Sequence, residues 1–100
     1  MKPRNIKESV VEKLLVQSVR TLGGLCLKLN FIGTMGAPDR LVLMPNGRFF
    51  FVELKQLSGK LEPSQEILFP RIEKRGFKVH ILYGVEQVQE FVDNILKATP

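Results

Sequence analysis

The segment GAPDRLVLMPNGRFFFVELKQ, Gly36 to Gln56, sets two carboxylates and an ammonium, Asp39, Glu53 and Lys55, among residues that otherwise pattern as a buried hairpin. Removing an ionised group from water costs several kcal/mol unless it is paired or bound to a metal, so three of them in such a segment point to chemistry. Along an extended strand side chains alternate, so Glu53 and Lys55 share one face while Val52 and Leu54 share the other. A turn centred on Asn46 and Gly47 sets positions near Asp39 opposite positions near 54 or 55, and the three groups then converge at one edge of the hairpin. Two carboxylates about 4 Å apart repel by roughly 4 kcal/mol at an effective dielectric of about 20, a repulsion that an ammonium reduces and a divalent cation more than cancels. Oxygen-only ligation with open positions suits Mg²⁺ or Mn²⁺, which take one or two carboxylates together with a substrate phosphate. Lys55 is then placed to orient or deprotonate an attacking water.

Each residue also has a plainer reading. Glu53 and Lys55 taken alone make a structural ion pair, and Asp39 after Pro38 is an ordinary turn residue. A helical wheel sets Glu12 at the border of the apolar arc of the first helix, leaning toward the sheet; Glu8, one turn earlier on the same side, is the alternative, although an acid near a helix N-terminus also suits the macrodipole. His80 reads as a strand residue satisfied by its neighbours, Cys26 as a small core hydrophobe, and Phe49, Phe50 and Phe51 as core. Lys28, Arg40, Arg48 and Lys60 fall near the expected site and suit DNA phosphates, whereas Arg71, Lys74, Arg75 and Lys78 form a separate basic cluster, readable as a solvated face.

The elements that must position these groups follow from periodicity. Ile6, Val10, Val11, Leu14, Leu15, Val19 and Leu22 recur at helical spacing, and Gly23 and Gly24 end the helix. LCLKLNFI reads as a first strand, Leu41–Met44 and Arg48–Lys55 as an antiparallel pair, and the continuous apolar run of the latter as a central strand covered on both faces. A second helix is expected over Pro63–Arg75, kinked or split at Pro70, where proline removes a hydrogen bond at a cost of about 3 kcal/mol. FKVHILYG gives a fourth strand, parallel to the third through a right-handed crossover. VEQVQEFVDNILKA gives a third helix with Val85, Val88, Phe91, Val92 and Ile95 on its stripe. The expected architecture is α/β, a mixed four-stranded sheet flanked by helices in the order αβββαβα.

The chain has 100 residues, 44% of them hydrophobic, enough for one domain over residues 1–100 with a core that needs no staple. One cysteine and one histidine exclude a disulfide framework and a Cys/His metal cluster. A net charge of +5 favours a polyanionic partner such as nucleic acid. No run approaches a membrane span, and MKPRNIKESVVEK turns acidic too early for a signal peptide, so a cytoplasmic protein is expected.

Four segments carry a resemblance: EKLLVQSVRTLGG from Glu12, GTMGAPDR from Gly33, GRFFFVELK from Gly47 and GKLEPSQ from Gly59. In that order they resemble the VRR-NUC (virus-type replication-repair nuclease) branch of the PD-(D/E)XK nuclease superfamily, over about Glu12 to Phe91. The short signature alone occurs by chance; with the preceding glycines, the helix glutamate and the following glutamine it becomes specific. The resemblance implies a restriction-endonuclease-like core with Asp39, Glu53 and the Leu54 carbonyl on the metal. It further implies Glu12 acting on the metal through water, Lys55 as the catalytic lysine and Gln65 as an active-site polar group. Stand-alone members of that family are phage-associated homodimers that cut four-way junctions, which implies a Mg²⁺- or Mn²⁺-dependent Holliday-junction resolvase in DNA repair or recombination. The alternatives are a flap or duplex nuclease of the same fold and a non-catalytic DNA-binding module.

Overall fold

The structure is a computed structural model that describes residues 6–98; the first residues of the stretch weighed as a signal peptide lie outside them. Helix α1 runs Glu8–Thr21, followed by strands β1 (Leu25–Lys28), β2 (Arg40–Leu43) and β3 (Phe49–Lys55), helix α2 (Pro63–Glu73), strand β4 (Val79–Tyr83) and helix α3 (Gly84–Phe91). One π-helical turn, Val92–Leu96, extends α3. The sheet order is β1-β2-β3-β4, antiparallel at the first two pairings and parallel at β3–β4, so β3 is central and the sheet mixed as expected.

Helices α1 and α3 cover one face. Val11, Leu15 and Val19 are fully buried on α1, where they meet Val42, Val52 and Leu54 of the sheet and Val88, Phe91 and Val92 of the C-terminal helix. Each such side chain contributes roughly 1.5–3 kcal/mol on burial. Cys26 packs at the edge of this core. His80 sits between the Phe50 and Phe91 rings at 5.6 and 5.0 Å, and burial, with the charge of Lys78, lowers its pKa.

The other face is only partly covered, which corrects the expectation of a strand buried on both sides. Helix α2 packs over β4, and Phe69 and Val79 are buried there apart from the main core. Toward β1 the face is open: Leu25, Leu27 and Phe49 are exposed, as is Phe77, whose ring lies 6.4 Å from Phe49 and 6.5 Å from Phe51. Of the three phenylalanines, only Phe50 packs against the main core.

Helix α2 continues through Pro70 as one helix instead of dividing. Pro70 and Glu66, whose carbonyl loses its Pro70 N–H partner, are both exposed, so the proline sits where solvent can serve that carbonyl. The first strand stops at Lys28, shorter than the apolar run implies, because the chain leaves the sheet toward Gly33 and Gly36, both at positive φ.

Candidate active site

The hairpin turn determines which groups meet. It takes three residues, Pro45–Gly47, closed by the Met44 N–H donating to the Arg48 carbonyl at 2.8 Å, with Asn46 and Gly47 at φ 68° and 75°. Asparagine and glycine supply these left-handed conformations most readily. The extra residue shifts the register from that of a turn centred on Asn46 and Gly47. Arg40 pairs with Val52, so the next step along the ladder sets Asp39 level with Glu53 rather than with 54 or 55.

That register produces a reciprocal lock. The Asp39 N–H donates to Glu53 Oε1 at 3.0 Å, and the Leu54 N–H donates to Asp39 Oδ2 at 2.9 Å. Lys55 Nζ lies 3.1 Å from Glu53 Oε2, and the Glu53 side chain is 1% exposed. Gln65, 6% exposed in the first turn of α2, accepts the Glu62 N–H at 3.1 Å through Oε1, which leaves its amide NH₂ to donate to Glu53. Proline at the helix start and glutamine in its first turn thus fasten α2 to the strand carboxylate. Gly36 makes the close approach of loop and helix possible: at φ 99°, a Cβ there would lie 2.6 Å from the Ser64 carbonyl oxygen.

Electrostatics follow the geometry. Burial, reinforced by Asp39, pushes the Glu53 carboxyl above the usual range, against hydrogen bonds from Gln65 and Lys55. Burial acts to lower the Lys55 pKa, but the hydrogen bond and charge of Glu53, with Glu8 and Asp39 adding to them, leave it raised. Lys55 is therefore an ammonium at neutral pH, which favours orienting over deprotonating a water. Partial desolvation also nudges the carboxyl of Glu8, an exposed residue, upward, with Asp39 raising it further and Lys55 opposing.

Glu8 thus lies in the field of both Asp39 and Lys55. Glu12 instead forms an ion pair with Arg40, whose guanidinium also donates to the Cys26 carbonyl at 3.3 Å. Glu12 and Arg40 thus neutralise each other beneath α1, and Arg40, 8% exposed, is held there by both contacts. Arg48 is likewise committed elsewhere, donating to the Ile95 and Leu96 carbonyls at 3.1 and 2.9 Å and so closing the end of the last helix. Lys28 and Lys60 remain exposed, Lys28 on β1 opposite Arg40 and Lys60 in the segment after β3. Among the described residues no three His, Cys, Asp or Glu side chains gather as a metal cage.

The profile of the VRR-NUC domain matches residues 6–86. The chain belongs to the VRR-NUC family. A relative from Acyrthosiphon pisum secondary endosymbiont phage 1, described as "Putative nuclease p44", is 42% identical over 79 residues, 79% of this chain and 85% of its own length. A solved structure described as a VRR_NUC domain superposes with a TM-score of 0.82 at 36% identity, over 88% of this chain and 96% of that one. This VRR-NUC chain accordingly has a nuclease domain on a restriction-endonuclease-like α/β fold, with the Asp39–Glu53–Lys55 lock inside the matched region.

Proposed function

We propose that this VRR-NUC protein is a cytoplasmic, single-domain, Mg²⁺- or Mn²⁺-dependent endonuclease that hydrolyses phosphodiester bonds in branched DNA, acting as a homodimer on four-way junctions. The observation that carries the reading is the lock between Asp39 and Glu53 with Lys55 against it. The donor set fits a hard divalent cation: Glu53 is buried, its pKa is raised by that burial and by Asp39, and Lys55 supplies only one compensating charge. Asp39, Glu53 and the Leu54 carbonyl would hold the ion, which supplies charge neutralisation on the scissile phosphate.

The chain's own residues do the rest. Lys55, kept protonated by Glu53, donates to the phosphate region and offsets developing negative charge. Gln65 fixes the Glu53 rotamer. Glu8, a carboxylate of raised pKa in the field of Asp39 and Lys55, is the proton acceptor for the attacking water, while Glu12 is the acid that the resemblance sets on the metal through water. Lys28 and Lys60 hold flanking phosphates.

Dimerisation has its own support. The open sheet face carries Leu25, Leu27, Phe49 and the adjoining Phe77, an apolar patch of a kind that marks interaction surfaces. By strand alternation Phe49 and Phe51 share a face with Glu53 and Lys55, so a twofold pairing at that apolar patch relates two sites by symmetry, as cutting two strands requires. Incubation with labelled four-way junction, flap and linear duplex, in Mn²⁺ or chelator, tests the reading. Paired symmetric nicks on the junction are expected. Equal cutting of plain duplex contradicts junction selectivity, and no cutting of any substrate contradicts the nuclease.

A further inference from the structure

Helix α2 carries two stripes. Gln65 and Phe69 turn toward the sheet and are buried, whereas Ser64, Ile67, Leu68 and Arg71, at helical spacing, line an open groove of about 370 Å³ whose opposite wall is the loop carrying Met35. Ile67 is 66% exposed and Met35 81% exposed. The apolar stripe continues past Leu68 to Ile72, where Arg75 joins Arg71 beside it. Ile67, Leu68 and Ile72 are absent from the main core among the described residues. The groove is also preformed: the close approach of Gly36 to the Ser64 backbone ties the loop to the helix, and Ser64 adjoins Gln65, which holds Glu53.

We propose that this groove seats an unpaired nucleotide of the DNA strand next to the scissile bond. The inference rests on the nuclease reading above and deepens it by naming the feature of the substrate that is recognised. An apolar floor in a chain of net charge +5 suits the face of a base, as wedges of isoleucine and methionine do when they separate base steps. Arg71 and Arg75 supply the phosphate contacts. Both are exposed, neither forms an ion pair among the described residues, and Arg75 spends one N–H on the Arg71 carbonyl at 2.8 Å, leaving others to donate. A continuous duplex keeps its bases stacked and offers nothing to the floor. A gap, a bulge or the centre of a junction does.

The test compares binding, in chelator, to a duplex bearing one unpaired 2-aminopurine and to the fully paired duplex of the same sequence. Wild-type protein is expected to prefer the unpaired site by about tenfold, the scale of one good base contact, and to change the 2-aminopurine fluorescence. Ile67→Ser, at an exposed position, is expected to retain the fold by circular dichroism while losing the preference and the fluorescence change. Arg71→Ala is expected to weaken binding to both duplexes and flatten its salt dependence. Equal wild-type affinity for the two duplexes, or full discrimination by Ile67→Ser, overturns the proposal. So does a change of mass of Ile67→Ser in light scattering, which assigns the groove to a second copy. Absence of cleavage by wild-type protein in Mn²⁺ is a separate result that strikes the nuclease reading, since this binding is measured without metal.

Discussion

Glu53 is the residue on which stability and chemistry oppose each other. A carboxylate whose folded pKa lies above its unfolded value binds more protons when folded, so it lowers stability as pH rises from the ordinary carboxylate range through the raised folded pKa. The metal-free protein is therefore expected to lose stability over that window, and Glu53→Gln to remove that part of the slope, as read from urea midpoints in chelator. Added Mn²⁺ should restore stability at the upper end, by about 2.7 kcal/mol at a hundredfold excess over Kd, because it binds the ionised pair. The two helix acids make a contrasting prediction. Glu8→Ala should depress cleavage about a hundredfold or more with stability nearly unchanged, the scale of a lost general base. Glu12→Ala should instead cost about 1–3 kcal/mol of stability by leaving the buried Arg40 unpaired. Periodicity could not separate these acids: they lie one turn apart on one side of α1, and the choice depends on how far the helix slides along the sheet. The partners of Arg40 and Arg48, Glu12 and the Ile95 and Leu96 carbonyls, are illegible for the same kind of reason, being remote in sequence.

At the scale of elements, the sequence carried the strands and helices in order and the parallel crossover, because apolar runs and turn residues are local signals. The register was legible only to within a step. Asn46 and Gly47 announce the turn, but whether Pro45 belongs to it depends on the Met44–Arg48 closure, and that residue decides what faces Asp39. Pro70 shows the converse, a local penalty relieved by solvent at an exposed turn of α2. Coverage of the sheet was the least legible, since an apolar run records only that burial is wanted and not whether a helix of the same chain provides it. The joint between loop and α2 gives the element-scale prediction. Gly36→Ala combines a positive φ with a Cβ 2.6 Å from a backbone oxygen, so it should destabilise by about 1–3 kcal/mol and also reduce cleavage by shifting Gln65, as checked by thermal melts beside activity.

For the whole molecule, the open apolar face and the positive charge are complementary assets: in the proposed homodimer the first serves the second copy and the other a polyanion. Light scattering should give the mass of a dimer for the wild type and of a monomer for Phe49→Glu, an exposed site whose substitution leaves the α1 side of the core intact. The monomer should lose paired nicking of a junction before it loses single nicks. If Asp39, Glu53 and Lys55 form a metal-dependent hydrolytic site, cleavage of labelled branched DNA by wild type, Asp39→Asn and Lys55→Ala, each verified as folded, reads it out. Wild type should cut in Mg²⁺ or Mn²⁺ and not in chelator, with both variants slower by about a hundredfold or more. Undiminished cutting by a folded Asp39→Asn or Lys55→Ala protein, or by wild type in chelator, would contradict it.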